Sequence, residues 1–160
     1  MKKITTLIIA ISISGLSFGQ KLVNLIHNGT STFYTGNSPV NDAVSAAQSG
    51  DTIYIPGGGF TINTLNIDKT LSVFGVGYDS DSTQATGITQ LNGTIVLKQG
   101  ADNTFLQGFY LSSNIIFGTN PSDEVVNNIT ISRINMNSIY LSANGSSAST
   151  SNNILLTENW

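Results

Sequence analysis

The chain contains no cysteine, and only 9% of its 160 residues are charged. The absence of cysteine excludes a disulfide-bonded scaffold and any cysteine-ligated zinc or iron–sulfur site. The formal net charge is −3, and no cluster of Lys and Arg follows Lys2 and Lys3, so we expect no nucleic-acid partner. Polarity comes instead from Ser, Thr, Asn and 16 Gly, which are residues typical of turns and exposed strand faces.

The N-terminal segment, 1–19, has the pattern of a secretory signal peptide. Lys2 and Lys3 precede a short apolar run over 7–13, and the segment 17–19 offers small residues at the two cleavage-recognition positions. The alternative is a membrane anchor, which requires about 20 apolar residues, whereas serines interrupt this run. We therefore expect cleavage before Gln20, no membrane span in the mature chain, and a secreted or cell-surface location.

A 25-residue repeat occupies the C-terminal part of the chain, where one shift places Asn103 over Asn128 and a second places it over Asn153. Apolar residues two apart follow these asparagines, a spacing that puts both members of a pair on one strand face. Three short strands per repeat predict a coil in which no turn, or rung, buries its core without its neighbours. The predicted inward pairs are Thr104/Leu106, Phe109/Leu111, Ile115/Phe117, Ile129/Ile131, Ile134/Met136 and Ile139/Leu141.

Upstream of the repeat the spacing is less regular, and an insertion is predicted at 78–90. One short helix is predicted at 38–50, with Ser38 as N-cap, Pro39 at the first helical position and Gly50 as terminator. The predicted organisation is a signal peptide (1–19), a lead-in (20–37), a capping helix (38–50) and rungs (51–160). Further inward pairs are Ile53/Ile55, Leu65/Ile67, Leu71/Val73 and Ile95/Leu97.

The segment 41–60 contains Gly50-Asp-Thr-Ile53 after an amphipathic stretch, followed by Pro56-Gly57 and the aromatic Phe60. With the next stretch, 65–77, it resembles the entry segment of right-handed parallel β-helix proteins of the pectin-lyase-like superfamily. The resemblance implies an all-β fold, a right-handed parallel β-helix of about four to five rungs with a short N-terminal capping helix. Because this fold carries lyases, hydrolases and non-enzymatic surface proteins, the resemblance leaves the activity open.

Candidate chemistry is sparse. The resemblance implies that pectate lyases of this fold use a calcium-binding acidic cluster and a basic residue, usually Arg. Here the paired carboxylates on a loop are Asp79 and Asp81, and the downstream bases are Lys98 and Arg133. Asp79 and Asp81 have the first alternation of a calcium loop, but glutamines stand at its sixth and twelfth positions. They are the candidate calcium ligands, and the alternative is a solvated turn.

Asn103, Asn128 and Asn153 are candidates for a structural ladder. Equivalent positions of successive rungs lie about 4.8 Å apart, so stacked amides there can hydrogen-bond from rung to rung. The alternative is that these asparagines are exposed turn residues. No catalytic residue is predicted.

The final segment, 153–160, begins a rung without finishing it, and we expect further rungs beyond it or end-to-end association. The sequence favours a secreted or surface β-helix segment with a structural, adhesive or glycan-contacting role and no catalysis of its own. The alternative is the N-terminal part of a polysaccharide lyase or glycoside hydrolase acting on acidic polysaccharides. A polysaccharide is the expected partner for the glycan-contacting role and for the enzyme, and no cofactor other than calcium is indicated.

Overall fold

The structure is a computed structural model that describes residues 21–79, 81, 87–120, 122–123, 125–142 and 150–160. Most of these residues lie in strands, which confirms the all-β class, and one short helix is present. No helix among the described ranges is long and apolar enough to cross a membrane. The elements are β1 (Val23–His27), β2 (Thr30–Tyr34), α1 (Pro39–Ala46), β3 (Asp51–Ile55), β4 (Gly58–Ile67), β5 (Leu71–Gly75), β6 (Thr89–Leu97), β7 (Phe105–Leu111), β8 (Asn114–Phe117), β9 (Ile129–Asn135), β10 (Ser138–Tyr140) and β11 (Ile154–Thr157).

The strands form one hydrogen-bonded sheet whose parallel pairs make three stacks. In stack A, β3, β5, the start of β7, the start of β9 and β11 pair in that order. Stack B joins the starts of β4 and β6 to the ends of β7 and β9. Stack C joins the ends of β4 and β6 to β8 and β10. The chain therefore passes through stacks A, B and C in the same order four times and returns to stack A with β11.

The register of stack A repeats at a constant interval in its later part. Thr130 pairs with Phe105 and Leu155 with Thr130, the same interval that separates Asn103 from Asn128. The interval between β5 and β7 is longer, because Ser72 pairs with Phe105 and the Leu71 N–H bonds to the Thr104 hydroxyl, 33 residues later, whereas β3 and β5 pair over a shorter interval, Asp51 with Leu71. The added residues lie between β5, which ends at Gly75, and β6, which begins at Thr89. The inserted segment thus ends slightly before the predicted 78–90, because Thr89 and Gln90 belong to a strand.

The predicted inward pairs form most of the core. Every member from Thr104 to Ile134 is at most 1% exposed, and Met136 and Ile139 are partly buried against the same cluster. Leu141 is an exception, since 45% of its surface is exposed just past the edge strand β10. Three short strands per repeat are predicted, but the first two are continuous in β7 and β9, which bend near Gly108 and Arg133 without being divided.

The N-terminal end of stack A is covered by elements of a different kind. β1 pairs antiparallel with both β2 and β3, so a hairpin extends the parallel stack. Asn28 and Gly29 connect its strands with φ of 47° and 78°, values typical of a two-residue hairpin turn. Helix α1 begins with Pro39 after Ser38, as predicted, and buries Val40, Ala43 and Val44, but the Ser38 side chain makes no capping hydrogen bond. It ends at Ala46, earlier than the predicted 50, and the carbonyls of Val44 and Ala47 accept hydrogen bonds from Lys69.

Candidate functional site

The structure brings Asn103, Asn128 and Asn153 together in one column at the start of β7, β9 and β11. The Asn128 side-chain Nδ2 donates to Asn103 Oδ1 at 3.1 Å, and Asn153 Nδ2 donates to Asn128 Oδ1 at 2.9 Å. All three residues are in the left-handed region, with φ of 58–61°. Asparagine is among the few residues that tolerate this backbone conformation. One residue type therefore supplies both the bend and the inter-strand bond, and we name this column the asparagine ladder.

A second column lies one residue earlier in each repeat. Asp102 Oδ1 accepts a hydrogen bond from the backbone N–H of Asn127 at 2.7 Å. Asn127 Oδ1 accepts from the backbone N–H of Asn152 at 2.9 Å. These bonds satisfy backbone donors that lie between strands, which would otherwise lack partners at the bend. In both columns the side chains are hydrogen-bonded to other residues of the chain, which indicates a structural role.

The candidate calcium ligands Asp79 and Asp81 form a local turn. Asp79 Oδ1 accepts a hydrogen bond from the backbone N–H of Asp81 at 2.9 Å, the contact of an aspartate-initiated turn. Residues 80 and 82–86 of the loop lie outside the described residues. Within the described ranges, no group of three or more His, Asp or Glu side chains could hold a metal ion. Calcium binding at this loop stays a prediction.

Asp51 is a buried ionisable side chain, with 5% of its surface exposed. His27 Nδ1 lies 2.8 Å from Asp51 Oδ1, and the backbone N–H of Gln48 donates to Asp51 Oδ2 at 2.7 Å. Burial raises the pKa of the Asp51 carboxyl, but these two hydrogen bonds and the positive charges of His27 and Lys69 outweigh it, so the pKa lies below its ordinary value. The contacts of Asp51 with His27 and Gln48 join the start of β3 to β1 and to the residues that follow α1.

The carboxylate of Asp123 also stabilises a turn. Its carboxylate accepts hydrogen bonds from the backbone N–H groups of Thr119 and Asn120 and from the Thr119 hydroxyl, at 2.7–2.8 Å. Burial raises the pKa of Asp123, while these bonds and the charge of Lys98 lower it to a net value below the ordinary one. The carboxylate is thus engaged by its own loop.

Arg133 lies at the bend of β9, with φ of 52° and half of its side chain exposed. Gly108 and Glu158 occupy the equivalent bends, also at positive φ. Arg133 Nε lies 3.6 Å from Glu158 Oε2, a separation typical of a weak surface ion pair. Arg133, one of the two downstream bases named beside Lys98, therefore lies at a strand bend next to an exposed carboxylate.

The outward side chains of stack A form two rows that cross the strands, which we call the outer face of stack A. They alternate along each strand with core residues, because successive side chains point to opposite faces. None of these positions carries a charge. The first row is Phe33, Asn24, Tyr54, Phe74, Gln107, Ser132 and Thr157. The second row is Ser31, Ile26, Thr52, Ser72, Phe105, Thr130 and Leu155.

Aromatic rings dominate the N-terminal part of this outer face. Tyr54 and Phe74 stack with centroids 5.3 Å apart, and Phe74 and Phe105 meet at 5.4 Å in a tilted arrangement. Phe33 is 56% and Tyr54 47% exposed. Such contiguous exposed apolar surface is typical of interaction sites.

Sequence reasoning missed this outer face. The available signal was an aromatic residue in an outward position of β3, β5 and β7, but Tyr54, Phe74 and Phe105 are unevenly spaced along the sequence. Their proximity follows only from a register that crosses the inserted segment. The chain matches no protein-family model, no curated protein and no solved structure.

Proposed function

We propose that the three stacks are the faces of a right-handed parallel β-helix with four rungs and the start of a fifth, capped by α1 and the β1–β2 hairpin. The repeated order A, B, C supports this proposal. Parallel strands joined by crossover connections are right-handed in the great majority of cases. The asparagine ladder supports it too, because amides 25 residues apart bond only when one rung lies directly on another.

Paired cysteines test the register, since the chain has no cysteine of its own. Thr130 and Leu155 are direct partners on the outer face, so T130C with L155C is expected to form a disulfide under mild oxidation. The control pairs T130C with L156C, whose position points to the opposite side of the strand. Equal cross-linking in both pairs would contradict the proposed rungs.

As its function we propose that this segment is an exported, non-catalytic scaffold that presents its outer face to glycans or to other components of the cell surface. The observation that carries this proposal is that several ionisable side chains are hydrogen-bonded to the backbone of the chain itself. Asp51, Asp102 and Asp123 are bonded to backbone N–H groups, and Lys69 holds the end of α1. Acid–base catalysis needs such groups aimed at a substrate instead.

Turnover assays test this function. The full chain is incubated with polygalacturonate plus calcium and with neutral polysaccharides, while unsaturated products and new reducing ends are followed. The scaffold proposal expects no product, together with recovery of the protein outside the cytoplasm on fractionation. Product that disappears in Arg133→Gln, a change at an exposed bend, would establish the alternative enzyme. Retention of the full chain in the cytoplasm would contradict export.

A further inference from the structure

The outer face of stack A holds a groove of about 170 Å³ beside the stacked rings of Tyr54 and Phe74. Leu22, Pro56 and Val76 contribute to its apolar wall, and Asn24 also lines it. Its volume is below that of drug-sized pockets, so the groove has room for a single ring or a short side chain.

Asn24 has an unsatisfied acceptor at this groove. Its Oδ1 is buried and has no hydrogen-bond partner in the described part of the chain. A buried carbonyl oxygen without a donor costs free energy, and most such atoms in proteins are paired. Because Oδ1 is shielded from solvent, a ligand hydroxyl or N–H would reach it and remove that cost only if the Asn24 amide turned toward the groove.

The side chains around the groove are uncharged, as are those of the whole outer face. The rings of Phe33, Tyr54, Phe74 and Phe105 alternate with hydroxyls and amides such as those of Ser72 and Gln107. A ligand with a fixed charge would be desolvated here without a counter-charge, which is unfavourable. The surface therefore matches a molecule that is itself neutral, partly apolar and rich in hydroxyl groups.

We propose that the outer face of stack A binds a neutral polysaccharide, with one sugar ring in the groove and neighbouring sugars against the rings of Phe33 and Phe105. This inference rests on the scaffold function proposed above and names its ligand. The C–H surfaces of the sugar pack against Tyr54 and Phe74, and once the Asn24 amide has turned toward the groove, a sugar hydroxyl donates to its Oδ1. A second copy of the chain fits less well, because the core of a subunit interface is more apolar than this mixture of rings and hydroxyls.

The test measures binding of the full chain to soluble neutral polysaccharides (mixed-linkage glucan, xylan and galactomannan) by affinity electrophoresis, with polygalacturonate as the acidic counterpart. We expect retardation by at least one neutral polymer, with little dependence on salt because no ion pair is involved. Tyr54→Thr should weaken this binding about tenfold, and Asn24→Ala should weaken it as well. Circular dichroism and the melting temperature check that each variant is folded.

Tyr140→Thr is the matched control, because Tyr140 is also a strand tyrosine that is half exposed, 50% against 47% for Tyr54, but lies in stack C. This variant should bind as the unaltered chain does. Equal loss in both variants, or binding of polygalacturonate alone, would overturn the inference. Absence of binding to every neutral polymer would overturn it too, while export without turnover would still support the scaffold. Dimerisation that Tyr54→Thr abolishes, without saccharide binding, would assign the face to a second copy instead.

Discussion

The early and late parts of stack A hold neighbouring strands together by different means. Between β7, β9 and β11, identical amides meet every 25 residues and bond side chain to side chain. Between β5 and β7, where the interval is longer, Gly75 and Gly108 bring two backbones into close approach. The Thr89 hydroxyl fixes this region by bonding the carbonyls of Ile55 and Pro56 and the N–H of Val76 at 3.0–3.1 Å.

This difference shows how repeat length decides the kind of contact. A constant spacing returns the same residue to the same place, so one residue type builds a column. An insertion breaks that correspondence, so each contact there depends on particular residues that occur at one position only. The early part should therefore tolerate substitution less well than the late part.

Gly75→Ala should have the largest effect on stability. A Cβ at this position would overlap the carbonyl oxygen of Gly108 and lie 2.9 Å from the Cβ of Thr89. Overpacking against backbone that cannot move away should lower the free energy of unfolding by about 3 kcal/mol. Urea denaturation measures this change. Gly59→Ala is the control, because its nearest neighbour would lie 3.9 Å away. Similar losses in both variants would contradict the close approach.

Asn128→Ala should have the next largest effect. The substitution removes both ladder bonds of Asn128 and places alanine at φ of 58°. We expect a loss of about 2 kcal/mol, since the left-handed conformation contributes about 1 kcal/mol and the two exposed hydrogen bonds about 0.5 kcal/mol each. Asn128→Gly keeps the conformation accessible and should lose about half as much. If the glycine variant were as unstable as the alanine variant, backbone conformation would have no part in the ladder.

Asp51→Asn should cost about 1 kcal/mol at neutral pH, because a carboxylate bonded to an N–H and to His27 is replaced by a neutral amide. The folded-state pKa of Asp51 lies below its ordinary value of 3.8. Its stabilisation is therefore present above that value and is lost as the pH falls through the folded pKa. The stabilities of the unaltered chain and the variant should converge in acid. Urea denaturation at neutral and acidic pH measures this, with the exposed Asp42→Asn as control. A constant difference across pH would refute the linkage.

Arg133→Gly should have the smallest effect and the opposite sign. Glycine suits the left-handed bend, as Gly108 does one repeat earlier, and the lost ion pair is half exposed. We expect a gain of about 0.5 kcal/mol, because the relief of backbone strain exceeds the value of a surface ion pair. Thermal denaturation is the measurement. A clear decrease in melting temperature would instead give the Arg133–Glu158 pair a structural role.

The elements that local sequence controls were predictable. Pro39 after Ser38 and the stripe of Val40 and Val44 located α1, and the spacing of two identified the core pairs, because burial of one strand face imposes that period. The β1–β2 hairpin was missed even though Asn28-Gly29 is a strong hairpin signal. Its antiparallel pairing with β3 depends on contacts that no local pattern encodes.

The candidate site was less accessible from sequence. The column of Asn103, Asn128 and Asn153 was visible because its members share one spacing. The contact of Gly75 with Gly108 and the contact between the rings of Phe74 and Phe105 cross the inserted segment. Their alignment is set by the tertiary register alone, so residue spacing does not reveal them.

The asparagine ladder has a mechanical consequence. Its hydrogen bonds run from each strand of stack A to the next, so a pull that separates β11 from β9 loads them one after another rather than together. Force applied at the C-terminal end should peel the chain away in equal lengths of 25 residues, about 85 Å of extended chain each. At the inserted segment the released length should increase, because the partners there are further apart in the sequence. Under load the protein would thus lengthen in equal steps, followed by one longer step.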